Sequence, residues 1–140
     1  MDRLSSDEDV TQDNLRAIRL HYAAFARGDV DELLAGLDPE VLIRVHDEHG
    51  VRRGEPIHGR ESARAFFEGI AAAVTDSAVE IEDLRANGDR VLARVHIGGT
   101  LKESGRSGAI PAVHLFLVCD GLIAEILTHR PDWRRYEPEP

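Results

Sequence analysis

Between Ala112 and Ile126 the chain is almost wholly apolar, broken by one imidazole, His114, and one turn pair, Asp120-Gly121. Val113, Leu115, Phe116, Leu117 and Val118 predict a β-strand. The Asp-Gly pair predicts a tight hairpin, and Leu122 to Leu127 supply the returning strand. A titratable ring therefore sits inside a core strand. Burying an imidazole without a partner costs about 1–3 kcal/mol, so His114 either finds a structural hydrogen bond or lines a cavity where its chemistry is useful.

The 140 residues fit one domain, large enough for a core but too small for separate cofactor and substrate domains. Net charge is −9, and no Lys/Arg cluster interleaved with aromatics occurs, which argues against nucleic acid and anionic membranes as partners. A small molecule or a protein remains. Cys119 is the only cysteine, so an internal disulfide and a cysteine-based zinc site are excluded and a reducing compartment fits. No apolar stretch approaches the roughly 18 residues of a membrane helix. The acidic N-terminus is unlike a signal peptide, so an unprocessed cytoplasmic chain is expected.

Residues 1–10 read as a flexible acidic segment, residues 11–130 as the single domain, and residues 131–140, with the lone Trp and three prolines, as an extended tail. From Thr11 or Asp13 the pattern turns helical: Leu15, Ile18, Tyr22 and Phe25 recur at steps of three and four up to Arg27-Gly28. Asp29 is a candidate N-cap for a short helix over Val30 to Leu37. Val41 to Val45 predicts a strand, followed by a loop rich in Gly and Pro. A third helix over Arg60 to Val74 presents Ala63, Phe66, Phe67, Ile70 and Val74. Strands follow at 78–84, 91–101, 112–119 and 122–128. The fold class is α+β, three N-terminal helices packed in the concave face of a curved, mostly antiparallel sheet, a cone-shaped α+β barrel with an open end.

Four motifs in order, FARGDVDEL at 25–33, VHD at 45–47, GRESARAFF at 59–67 and the Asp120-Gly121 hairpin, resemble the nuclear transport factor two-like superfamily, and within it the SnoaL-like and ketosteroid isomerase-like group. The resemblance spans about residues 13–128. It implies the cone fold and a cavity, while the chemistry hosted varies widely: isomerases, cyclases, dehydratases, epoxide hydrolases and pure binding modules share it. The isomerases' general base is an aspartate in a Val-Glu-Asp-Pro pattern. Its match is Asp47 in Val45-His46-Asp47-Glu48, where the proline is absent. The isomerases' oxyanion-stabilising tyrosine and acid correspond to His21 and His114, so steroid isomerisation itself is not expected, while a related proton transfer stays open.

The resemblance thus makes Asp47 a candidate base for removing a proton next to a carbonyl; a surface aspartate opening a loop is the plainer reading. His114 is a candidate donor to an enolate oxygen or a proton shuttle opposite Asp47. Strand parity groups it with Phe116 and Val118, and that face meets either the helices or a second subunit. His21 lies at the edge of the first helix's apolar face, and Tyr22 nearer its centre, with its hydroxyl at the cavity wall. Substrate contacts are assigned to Tyr22, Phe66, Phe67, Phe116, Ile126 and Thr128.

His46, Asp47 and His49 suggest a metal, but neighbouring strand residues point to opposite faces, so no metal is expected. Arg44, Arg94 and His96 read as outer-face residues. Arg52-Arg53 with His58 read as a solvated loop or a mouth for an acidic group, and His129 and Arg130 have no assigned role. Gly-rich nucleotide loops, nucleophile elbows and Cys/His pairs are missing, so no cofactor is expected. The leading reading is a homodimeric cone protein that binds a small, largely apolar carbonyl compound and performs cofactor-free isomerisation, cyclisation or dehydration. The alternative is a non-enzymatic ligand-binding or dimerisation module, and an epoxide hydrolase-like site ranks last.

Overall fold

In a computed structural model, which describes residues 3–46 and 54–129, the hairpin around Asp120-Gly121 is the centre of a six-stranded sheet. Asp120 and Gly121 both hold positive φ, 52° and 79°, the geometry that matches a two-residue turn to the twist of its strands. The elements are α1 (Arg3–Arg27), α2 (Val30–Ala35), β1 (Leu37–His46), β2 (Ile57–His58), α3 (Gly59–Ala73), β3 (Val74–Asn87), β4 (Arg90–Leu101), β5 (Ser107–Cys119) and β6 (Leu122–His129).

The strand order is β2-β1-β6-β5-β4-β3. Every neighbouring pair is antiparallel except β1 and β6, which run parallel. The sheet is mixed, curved and unclosed, with the three helices as its partners. Register shifts between Thr75 and Ala78 and between Ile81 and Asp83 interrupt the β3–β4 ladder, the kind of irregularity that bends a sheet.

Alternation along β5 divides the molecule. Ala112, His114, Phe116 and Val118 are buried, whereas Leu115 between them is 42% exposed. The buried set joins Val91, Ala93 and Val95 of β4, Ile123 and Ile126 of β6, and Val41 and Ile43 of β1 as the floor of the core. Ile18, Tyr22 and Ala24 of α1 and Ala63 and Phe67 of α3 cover it. These are the stripes expected from helical periodicity.

Three polar contacts fix the helices. The Asp29 carboxylate accepts from the Glu32 amide at 3.1 Å, capping α2. Asn14 donates to the Gly88 carbonyl at 3.0 Å, tying α1 to the β3–β4 turn. Arg60 donates through Nε to the Leu37 carbonyl at 2.8 Å, joining the start of α3 to the start of β1.

Several boundaries differ from expectation. The first helix begins at Arg3, not near Thr11, because its early turns carry no apolar stripe for periodicity to reveal. The second ends at Ala35, since Leu37 already belongs to β1. Val74 is extended and opens β3, four residues before the expected start. β5 starts at Ser107, where Gly and Ser suggested a loop; pairing of Gly108 with Gly99 and Ser107 with Thr100 extends the ladder there. Ile57–His58 forms a two-residue edge strand that the sequence did not predict. The tail from Pro131 lies outside the described residues. No described helix is long and apolar enough to cross a membrane.

Gly99 marks where β3 folds tightly onto β4: a Cβ there would collide with Val74 Cγ1 and sit 3.3 Å from the Thr75 carbonyl oxygen. Gly99→Ala is expected to destabilise the fold by about 1–3 kcal/mol through overpacking against a stiff β-branched side chain. Adding Val74→Ala should recover most of that loss in urea titrations; purely additive losses would show that the Val74 contact is not the cause.

Candidate functional site

Tyr22 and Phe25 of α1, Phe66, Phe67 and Ile70 of α3, and the inner faces of β4, β5 and β6 enclose a cavity of about 620 Å³. Its walls are mostly apolar. Among the described residues that line it there is no aspartate or glutamate. The polar side chains there are His21, Tyr22, His114 and Thr128, with Arg106 and Ser107 on the β4–β5 hairpin.

The tightest polar contact joins α1 to β5: Tyr22 Oη lies 2.6 Å from His114 Nδ1, with the rings stacked at 5.7 Å and 24°. Both residues are buried, at 4% and 8% exposure. Burial pushes the Tyr22 hydroxyl well above its ordinary pKa, so it keeps its proton. When that proton is donated to Nδ1, the proton of neutral His114 sits on Nε2. Phe116 packs edge-on against both rings, at 5.8 Å from each. Across the ladder, His114 is paired with Thr128 of β6, which shares the inner face and also lines the cavity.

His21 is half-buried, set edge-on to Phe67 and Phe116. Its Nδ1 is buried and has no hydrogen-bond partner. An unpaired N–H in that position costs more than an unpaired lone pair, which favours the tautomer with its proton on Nε2. Loss of solvation, followed by repulsion from His114, pushes the His21 pKa down to about 3. Near neutral pH the cavity therefore holds His21 as an uncharged ring.

Of the residues singled out in the sequence, His21, Tyr22, Phe66, Phe67, His114, Ile126 and Thr128 come together on this one cavity. His114 faces inward, not toward the outer face where a second subunit could lie. Phe116 is a correction: it does not line the cavity but lies behind its wall, fully buried, supporting the Tyr22 and His114 rings. Asp47 lies outside the described residues, as do Glu48, His49, Arg52, Arg53 and Arg130. His58 Nε2 lies 2.9 Å from the Glu40 carboxylate of β1 and does not line the cavity. Arg94 and His96 share Glu82 on the outer face, at 3.4 and 2.9 Å.

Sequence reasoning missed the strip Gly98, Gly99, Gly108 and Ala109, which lines the open end of the cavity. The available signal was glycine inside segments otherwise suited to strands, which marks close approach or open space.

The sequence matches the SnoaL-like domain family over residues 18–126. No functionally curated protein matches it. Solved structures share the fold. A proposed SnoaL-like polyketide cyclase from Jannaschia sp. CCS1 is 19% identical, with a TM-score of 0.75, covering 86% of this chain and 87% of that one. An LEH-like epoxide hydrolase from M. tuberculosis is 19% identical, with a TM-score of 0.70 and coverage of 86% and 84%. TerC, co-crystallised with polyporic acid, is 23% identical, with a TM-score of 0.72 and coverage of 89% and 95%.

The depressed His21 pKa carries a consequence for stability. Above the ordinary histidine value of 6.5 both folded and unfolded states are neutral at this ring, so it contributes no pH dependence. As pH falls below 6.5 the unfolded chain takes up a proton that the folded chain refuses until about 3, and stability is lost through that window. Relative to His21→Phe, the native protein should lose about 1–2 kcal/mol between pH 7 and pH 5 in urea titrations. Parallel pH profiles for the two proteins would show that His21 titrates normally.

Proposed function

From the chain's membership of the SnoaL-like domain family, we propose that it binds a small, largely apolar carbonyl compound and catalyses a cofactor-free isomerisation, cyclisation or dehydration. The observation that carries this reading is the Tyr22–His114 hydrogen bond at the wall of an apolar cavity, beside a neutral His21. An uncharged His21 beside the His114 ring that Tyr22 holds is suited to a carbonyl oxygen that gains charge during reaction. In water-poor surroundings such donors act more strongly than in solvent.

Asp47, matched to the isomerase base by resemblance, takes a proton from the carbon beside the carbonyl. The electron pair of that C–H bond moves onto the oxygen, giving an enolate held by His114 Nε2–H and aided by His21. Tyr22 acts on His114 Nδ1, fixing the tautomer and the ring plane. Return of the proton from Asp47 to a different carbon completes an isomerisation; attack of the enolate on a second carbonyl closes a ring, the new alkoxide taking that proton; loss of hydroxide from the neighbouring carbon, protonated by Asp47 to water, gives dehydration. TerC, which shares the fold, was co-crystallised with polyporic acid, and this supports a small organic ligand.

The second reading, a binding module, draws on the lack of any carboxylate among the described cavity residues. Exchange of ketone α-protons in D₂O, followed by NMR, separates the two without knowledge of the natural product. The native protein should accelerate exchange, and Asp47→Asn should lower it by at least about 10²-fold with an unchanged circular dichroism spectrum. Ketone binding without exchange would establish the module instead.

The protein is further read as a cytoplasmic homodimer. Leu92, Leu115 and Leu127 lie side by side across β4, β5 and β6 on the outer face, with Leu92 and Leu115 exposed. An apolar row flanked by Arg44 and Arg85 suits a twofold interface with a hydrophobic centre and charged rim. Sedimentation should give a dimer at micromolar concentration and a monomer for Leu115→Arg; a native monomer would reject the interface.

A further inference from the structure

Gly99 and Gly108 face each other across β4 and β5, and both line the open end of the cavity. They lack side chains for different reasons. At Gly99 the neighbouring Val74 leaves no room. At Gly108 an added Cβ would meet nothing within 4 Å, and the backbone does not have positive φ. Neither packing nor conformation requires glycine there, and glycine inside a strand weakens it. Gly108 shares strand parity with Ala112 and His114, both buried on the inner face. The room above Gly108 is thus a continuation of the cavity that no side chain of its own occupies.

The length of that continuation constrains the ligand. From His114 to Gly108, β5 runs roughly 20 Å at about 3.4 Å per residue. Residues at both ends of that run line the same cavity, so the space is several times longer than one ring. His21, Tyr22, His114 and Thr128 cluster at the deep end, while Ile97 and Ile110 line the passage toward Gly108.

We propose that the cavity takes an elongated apolar carbonyl compound whose oxygen meets His21 and His114 and whose tail leaves over Gly108, making Gly108 the residue that sets the tail length admitted. This rests on the carbonyl reading above and adds a specificity determinant to it.

The test is calorimetric binding of para-alkylacetophenones, from the unsubstituted ketone to the decyl homologue, to the native protein, Gly108→Ala and Gly108→Val. Valine suits a strand, so the melting temperature of Gly108→Val should equal or exceed that of the native protein. For the native protein, affinity should rise about fourfold for each methylene buried. In Gly108→Val the rise should stop short, leaving the longest ketones at least about tenfold weaker while acetophenone stays within about twofold, with Gly108→Ala intermediate. Equal weakening of every homologue, or no weakening of the longest, overturns the role of Gly108 and leaves the carbonyl reading standing. If no homologue binds the native protein, the carbonyl reading falls and this inference falls with it.

Discussion

The crossing of α1 over the inner face of β5 is the contact on which the remaining architecture depends. Ile18, Tyr22 and Ala24 descend onto Ala93, Phe116 and their neighbours, and in that apolar layer the one polar demand from the sheet is the His114 ring. Tyr22 meets it at 2.6 Å. A buried imidazole left without a partner would cost about as much as the loss of a sizeable core contact, so the phenol does structural work before any chemistry is considered. Helix packing and ring orientation are thus one decision made by one pair of side chains.

The molecule is electrically divided. Net charge is −9, and the described carboxylates lie away from the cavity lining, several of them beside Arg64, Arg85, Arg94 and His96. Inside, the described cavity residues bring imidazoles, hydroxyls and one guanidinium at the hairpin, and no acid. Desolvation keeps His21 neutral where an exposed histidine would be partly charged at mildly acidic pH. Polar groups set in so apolar a wall act through direction more than through net charge.

Much of this was written in the sequence. Periodicity exposed the stripes of α1 and α3, the alternation of β5 grouped His114 with Phe116 and Val118 on one face, and Asp120-Gly121 marked the turn where the structure has two positive φ values. Parity could say that His114, Phe116 and Val118 share a face, but not which of the three meets a cavity and which lies behind it. That depends on α3, whose Phe66, Phe67 and Ile70 stand off from the sheet, and on the glycines that keep the floor low. Composition also misled. The Gly/Ser segment 104–108 spells a loop in isolation, yet pairing of Ser107 with Thr100 and of Gly108 with Gly99 holds its last two residues extended. The early turns of α1 were invisible because the sequence there is mostly polar and has no apolar period to read. Pairing between β1 and β6 joins segments at opposite ends of the chain, and no local pattern announces it.

That pairing also bears on how the protein is made. Leu42 to His46 take their hydrogen bonds from Glu125 to His129, on the far side of three long strands in the sequence, and their other neighbour is only the two-residue strand Ile57–His58. During synthesis β1 therefore emerges early and waits, with an unsatisfied edge, until nearly the whole domain has left the ribosome. Closing so long a loop before its contacts repay the lost entropy makes the step slow. The β4–β5–β6 meander, by contrast, can zip locally from its two hairpins. The last strand is thus both the end of the meander and the latch of the fold, and its arrival gives the early strand a partner.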